Sequence, residues 1–69
     1  MNEYRVRAHL RRDNLTTRRL SYITLVTYPV CTCLKSAIVA AYATIEEQIE
    51  MDLDRNIVTD LVSLTATTA

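Results

Sequence analysis

Several residue types are absent from this chain of 69 residues, which has no glycine, no phenylalanine and no tryptophan. Without glycine no Gly-rich phosphate loop can form, so the nucleotide-binding loops built on that residue are excluded. Backbone positions with a positive φ must then fall to asparagine or aspartate, which tolerate the left-handed region better than other residues. Three such residues stand where the hydrophobic pattern changes, and they are Asp13, Asn14 and Asn56.

Cysteine and histidine are also scarce, which argues against a metal site. Cys31 and Cys33 are the only cysteines, and His9 is the only histidine. A closed zinc site needs four ligands, and no familiar ligand spacing fits this set. A disulfide across one intervening residue would be strained, so we expect buried free thiols in a reducing compartment, the cytoplasm. No metal and no cofactor are predicted.

A long run with few charges raises the question of a membrane or secretory segment. Residues 20–43 contain one charge, Lys35, and end in Ala-Tyr-Ala, which matches the small-residue pattern of a signal cleavage site. Pro29, Lys35 and several serine and threonine residues interrupt the run. We therefore expect a protein outside the membrane, with a membrane-targeted small protein as an alternative.

Charge is distributed unevenly, although the formal net charge is zero. Residues 1–35 carry seven basic and two acidic side chains, whereas residues 36–69 carry one basic and six acidic side chains. The resulting dipole can attract a charged partner or a second copy of the chain. It equally fits two solvated faces, so the charges alone do not select a partner.

The N-terminal half of the chain predicts a β-hairpin. Polar and apolar residues alternate over residues 3–11, which indicates a half-buried strand. The apolar row is Tyr4, Val6, Ala8 and Leu10, and the opposite row is Glu3, Arg5, Arg7, His9 and Arg11. Turn-forming residues follow at 12–18, and a β-rich run over residues 19–28 predicts a second strand that ends before Pro29.

The C-terminal half predicts a helix and a third strand. Apolar residues recur every three or four positions over residues 32–54, with Thr32 or Ser36 as the cap, which indicates an amphipathic helix. The apolar row is Leu34, Ile38, Ala41, Ile45, Ile49 and Leu53, and the solvated acidic cluster is Glu46, Glu47, Glu50, Asp52 and Asp54. Asn56 is placed to end the helix. β-Branched residues over 57–66 predict a strand, although a helix also fits that segment.

These elements predict an α+β fold in which residues 1–69 form a single small domain in ββαβ order. A right-handed crossover places the third strand beside the first, so we expect a three-stranded antiparallel sheet of order 3-1-2. The helix packs on one face of that sheet. The first strand is then central, and its arginines point from the middle of the uncovered face.

The pairing of the two hairpin strands decides what lies beside those arginines. If Leu10 faces Leu20, the second strand turns Ile23 and Leu25 to the uncovered side. Aliphatic residues exposed beside arginines are typical of an interface. The predicted partner-binding residues are Arg5, Arg7, His9, Arg11, Ile23 and Leu25. The first half of the helix is apolar nearly all round, so the candidate oligomer contacts are Val39, Ala40 and Ala43.

The predicted function is a small binding protein, a regulator or inhibitor that docks this basic and apolar face onto an acidic protein surface. Single-stranded nucleic acid is the first alternative, although the expected register aims Tyr4, Tyr22 and Tyr28 at the helix, away from any bases. A homodimer or a homo-oligomeric structural protein is the second. In element order and exposed strand arginines, the chain resembles small phage proteins that block host enzymes by occupying acidic clefts.

No enzyme activity is predicted. His9 lies in an exposed basic row, where no nucleophile and no orienting carboxylate accompany it. The acidic cluster of the helix lacks the paired, partly buried setting that raises the pKa of a general acid. The sequence therefore predicts no catalytic residues.

Overall fold

The computed structural model describes residues 1–69 as one α-helix packed on one face of an antiparallel sheet, which confirms the predicted α+β class. The elements in chain order are β1 (Asn2–Asn14), β2 (Arg19–Thr27), β3 (Val30–Cys31), α1 (Leu34–Asp54) and β4 (Ile57–Thr68). The fourth strand is the two-residue β3, which the sequence pattern did not predict.

Strand β1 lies in the centre of the sheet, with β4 on one side and β2 on the other, so the predicted order is confirmed. The β2 register continues into β3, because Val6 pairs with Thr27 and Glu3 pairs with Val30. Pro29 divides the two strands since it has no N–H to donate. Its carbonyl still accepts a hydrogen bond from the Tyr4 N–H at 2.9 Å.

The hairpin register differs from the predicted one and changes which side chains share a face. Leu10 pairs with Ile23, and Ala8 pairs with Leu25, a shift of three residues from the expected pairing of Leu10 with Leu20. Because side chains alternate with a period of two, an odd shift moves the whole strand to the opposite face. Ile23 and Leu25 therefore lie on the helix side, half-buried against the core.

The turn between β1 and β2 explains the shift. It is shorter than expected, because β1 extends to Asn14 and β2 begins opposite it at Arg19. The Asn14 side-chain oxygen accepts hydrogen bonds from the N–H groups of Thr16 and Thr17, both at 3.0 Å. Arg18 adopts a φ of 61° and donates its N–H to the Asn14 carbonyl at 2.7 Å. The left-handed position is thus Arg18, and the prediction of Asp13 or Asn14 was wrong.

Helix α1 begins two residues later than the predicted helix and ends at the predicted residue, Asp54. Its N-cap is Cys33, whose side chain makes no capping hydrogen bond, so neither Thr32 nor Ser36 is the cap. At the other end, Asn56 has a φ of 63° and donates its N–H to the Leu53 carbonyl at 3.0 Å, which confirms its predicted role. No helix of the structure combines the length and the apolar character needed to cross a membrane.

The core is small and lies between β1 and the helix, where the predicted inward row of β1 is buried as expected. Two alanines of the helix, Ala37 and Ala41, allow it to approach the sheet closely, and Ile45 fills the space over Ala8 and Leu10. The helix lies over β1 and β4 rather than over β2. The buried apolar residues are Tyr4, Val6, Ala8, Leu10, Ala37, Ala41, Ile45 and Ile57.

The predicted apolar row of the helix was wrong at its two ends. Leu34 and Leu53 are exposed, whereas the buried stripe runs from Ala37 to Asp52. Asp52 was expected in the solvated acidic cluster, but none of its surface reaches solvent. The helix therefore presents a carboxylate to the interior at its C-terminal end, where the partner must be a donor from the sheet.

Candidate functional site

The sheet face that α1 does not cover, called the open face below, carries a central column of basic side chains. This column is the outward row of β1, namely Arg5, Arg7, His9 and Arg11, and all four are exposed. None of the three arginines forms an ion pair, since the single ion pair of the molecule joins Arg12 to Asp52. His9 Nδ1 lies 3.1 Å from the hydroxyl of Thr24 on β2. The predicted position of these arginines is confirmed.

An apolar and aromatic column stands beside the basic one, along β2 and β3. Tyr22 pairs with Arg11, and Val26 pairs with Arg7. The continuous register places Tyr28 beside Arg5. Tyr22 is 65% exposed and Tyr28 is 58% exposed, which are high values for aromatic side chains. Tyr4, Tyr22 and Tyr28 were all predicted to point to the helix. Only Tyr4 does so, and the prediction was wrong for Tyr22 and Tyr28.

The third column of the open face belongs to β4 and is mostly short and polar. Thr65 and Thr67 pair with Arg7 and Arg5. A β-bulge between the pairs of His9 and Leu10 turns both Val62 and Ser63 outward. Three acidic residues border the arginines without forming ion pairs with them. They are Asp60, opposite Arg11, and Glu3 and Asp13, at the two ends of the outward row of β1.

Two of the predicted partner-binding residues are absent from this surface. Ile23 and Leu25 face the helix side and pack against the cluster of Ala8, Leu10 and Ile45. Their places on the open face are taken by Tyr22 and Val26. The predicted oligomer contacts lie on the outer surface of the helix, and Val39, Ala40 and Ala43 are all exposed.

A buried polar network joins the last turn of α1 to the sheet near the hairpin turn. Arg12 donates from Nε and Nη2 to the two Asp52 carboxylate oxygens, at 3.0 and 2.9 Å. The Gln48 amide donates to the same carboxylate at 3.0 Å, and the Thr59 hydroxyl donates to it as well. Burial acts to raise the pKa of Asp52, but these hydrogen bonds outweigh burial and hold that pKa below its ordinary value.

The two cysteines are free and differ in environment. Cys31 is half-buried, whereas Cys33 is exposed, so the prediction of two buried thiols was wrong for Cys33. The reason is its position as the N-cap of α1, outside the strand that Cys31 ends. The Cys33 sulfur lies 3.3 Å from the Ser36 hydroxyl, and hydrogen bonds from Ser36 lower the pKa of the thiol. No three side chains of the types that bind metals come together.

Comparison with protein-family models, with curated proteins and with solved structures finds no significant match to this chain.

Proposed function

We propose that this chain is a small, non-enzymatic binding protein that docks its open face onto an acidic surface of another protein and regulates or inhibits that partner. The observation that carries the proposal is that two exposed columns lie side by side on the open face. One is the column of arginines, which form no ion pairs, and the other is the column of Tyr22, Val26 and Tyr28. Arginine and tyrosine are the residue types that dominate binding energy at protein interfaces. Both occur here on one surface built from paired strands.

The spacing of the arginines fits carboxylates on a partner. Alternate residues of a strand lie about 6.6 Å apart, so Arg5 and Arg7 are separated by about that distance along the middle of the face. Arg11 lies about 13 Å beyond Arg7, because His9 occupies the position between them. Each arginine can form a bidentate pair with a carboxylate, and in a complex the neighbouring aromatic column would exclude water from those pairs. We expect binding that weakens with added salt, because part of the attraction is between exposed charges.

Single-stranded nucleic acid is the second candidate, because Tyr22 and Tyr28 point to the open face and flank it about 20 Å apart along the strand. Bases could stack on those rings while the arginines contact phosphates. The acidic residues argue against it, since Glu3, Asp13 and Asp60 lie on the same face and repel a polyanion. A protein partner accommodates such rim charges with basic residues of its own.

Self-association through the open face is less favourable than docking on an acidic partner. If two sheets stacked with β1 antiparallel, Arg5 would meet Arg11 and Arg7 would meet His9, which places like charges together. A homodimer through the exposed helix residues Val39, Ala40 and Ala43 remains compatible with the proposed use of the sheet. Two free cysteines are typical of a cytoplasmic protein, and we propose that compartment.

The test is a charge reversal in the middle of the face. A tagged chain captures the partner from its native host, and the purified partner is then titrated with the variant R5E/R7E. We expect at least a hundredfold loss of affinity, since each hydrogen-bonded charged group contributes roughly 1.5 to 3 kcal/mol.

The matched control is K35E/R55E, which makes the same change in net charge at exposed positions outside the open face. We expect this control to lose less than about threefold in affinity, because isolated surface charges contribute little. Equal losses in both variants would contradict the proposal. Labelled single-stranded RNA and DNA in low salt test the second candidate, which requires binding that R5E/R7E removes.

A further inference from the structure

A cavity lies at the hairpin end of the sheet, on the helix side and so on the surface opposite the open face. Its volume is about 330 Å³. Its lining comes from the ends of β1, β2 and β4 and from the turn, and consists of Arg12, Asn14, Thr17, Arg19, Ser21 and Ile57. This volume is at the lower end of the range of small-molecule sites, which is roughly 300 to 1,000 Å³.

The free polar groups of the lining are almost all donors. Arg19 makes no ion pair and no side-chain hydrogen bond, and Arg12 uses Nε and Nη2 on Asp52 but leaves Nη1 without a protein acceptor. The Asn14 side-chain oxygen is occupied by two backbone N–H groups of the turn, so its amide nitrogen is the group left free. The hydroxyls of Thr17 and Ser21 have no side-chain partner. A ligand must therefore supply acceptors.

The lining of the cavity carries positive charge, which also favours an anionic ligand. No acidic residue is among its lining residues. The one carboxylate bonded to a lining residue is that of Asp52, which accepts hydrogen bonds from Arg12, Gln48 and Thr59. That carboxylate balances one guanidinium and holds Arg12 in place, so the charge of Arg19 is left unbalanced. An anion is therefore attracted by the charge of Arg19 and can accept a hydrogen bond from Nη1 of Arg12, while Ile57 supplies an aliphatic wall.

We propose that this cavity binds the phosphate group of a small phosphorylated molecule. Arg19 and the free nitrogen of Arg12 contact the phosphate oxygens, because the planar guanidinium group presents its N–H donors in a geometry that matches phosphate. Ser21 and Thr17 donate hydroxyl hydrogen bonds, and Ile57 contacts the remainder of the ligand. The site is independent of the proposed protein-binding face, because the two share no residue.

The test measures binding of inorganic phosphate and of adenosine monophosphate to the full chain at constant ionic strength, by titration with detection of backbone amide chemical shifts. Saturable shifts centred on Thr17, Arg19 and Ser21 support the proposal. Comparison of the two dissociation constants shows whether the cavity prefers inorganic phosphate or a phosphate ester. Shifts centred on Tyr22 and Tyr28, or no saturable shifts with either probe, would overturn it.

Three variants distinguish a specific phosphate site from diffuse electrostatic attraction. R19Q removes the free guanidinium of the cavity, and R18Q makes the same charge change at the neighbouring residue, which does not line it. We expect R19Q to weaken phosphate binding about tenfold or more and R18Q to weaken it less than about twofold. S21A, which changes no charge, should weaken it about threefold. Equal weakening by R18Q and R19Q would overturn the assignment.

Discussion

Arg12 grips both carboxylate oxygens of Asp52, 40 residues later in the chain, with hydrogen bonds of 3.0 and 2.9 Å, and Asp52 is fully buried. This pair ties the end of the central strand to the last turn of the helix. Thr59 of β4 donates to the same carboxylate, so three elements meet at one charged group. Because the apolar core is small, we expect these hydrogen bonds to contribute strongly to the packing of the helix on the sheet.

Removal of Arg12 should therefore destabilise the fold strongly. The variant R12A leaves the Asp52 carboxylate buried without its charge partner, and such a change costs roughly 3 to 5 kcal/mol. A domain of this size has a free energy of unfolding of about 5 kcal/mol or somewhat more, so R12A should be largely unfolded at modest urea concentrations. Urea denaturation followed by circular dichroism measures it. R11A, the exposed neighbour, is the control, and a loss below about 1 kcal/mol in R12A contradicts the role given to this pair.

The stability of the protein should also depend on pH through Asp52. The folded state holds the pKa of Asp52 below its ordinary value of 3.8, so the unfolded chain binds the proton more readily. The stabilisation is therefore present above pH 3.8 and is lost as the pH falls from there towards the lower folded pKa. Urea midpoints across this acid range should fall with pH in the wild type and change less in D52N. D54N, at an exposed position, should keep the wild-type slope; a parallel slope in D52N would argue against this linkage.

The hairpin register predicts unequal losses of stability at two neighbouring residues. Ile23 packs against the core, so I23A should cost roughly 1 to 2 kcal/mol, which is less than a fully buried isoleucine loses. Tyr22 is exposed on the open face, so Y22A should cost less than about 1 kcal/mol. Thermal denaturation of both variants checks this order. A larger loss in Y22A would favour the pairing of Leu10 with Leu20.

The turn offers a substitution that should stabilise the protein. Arg18 holds a φ of 61°, which costs a residue with a Cβ roughly 1 to 2 kcal/mol, and its side chain makes no hydrogen bond. R18G should raise the melting temperature, with a net gain of about 0.5 to 1 kcal/mol after the added freedom of the unfolded chain is subtracted. R19G, in the adjacent strand position, should lower it. A lower melting temperature in R18G would mean that the turn has another conformation.

The sequence predicts the central strand well because its pattern is unambiguous. Every second residue from Tyr4 to Leu10 is apolar and every residue between is polar, so only one face can be buried. The helix period and the role of Asn56 are predictable for similar reasons, since one follows from spacing and the other from the lack of glycine. These two patterns are enough to place the arginines on the open face.

The second strand could not be read in the same way. Its two rows each mix apolar and polar residues, with Tyr22 and Val26 on one side and Ile23 and Leu25 on the other, so neither row marks the buried face. The turn then sets the register, and it depends on Arg18, a residue type that rarely takes a positive φ.

Asp52 was missed because an acidic residue near other acidic residues indicates a solvated surface. The available signal was its phase, since Asp52 continues the stripe of Ala41 and Ile45 at helical spacing, and Arg12 continues the inward row of the central strand. A charged residue of each sign on two apolar faces predicts a buried pair. The same reasoning applies to other small domains that combine a helix and a sheet.

The most direct test of the proposed function is a map of the partner-bound surface by amide and methyl chemical shifts of the chain. The account predicts that the largest changes fall on the central arginine column and on Tyr22, Val26 and Tyr28, and that added salt reduces the changes by weakening the complex. Changes concentrated on the outer helix surface around Val39 and Ala43, with the open face unaffected, would contradict it.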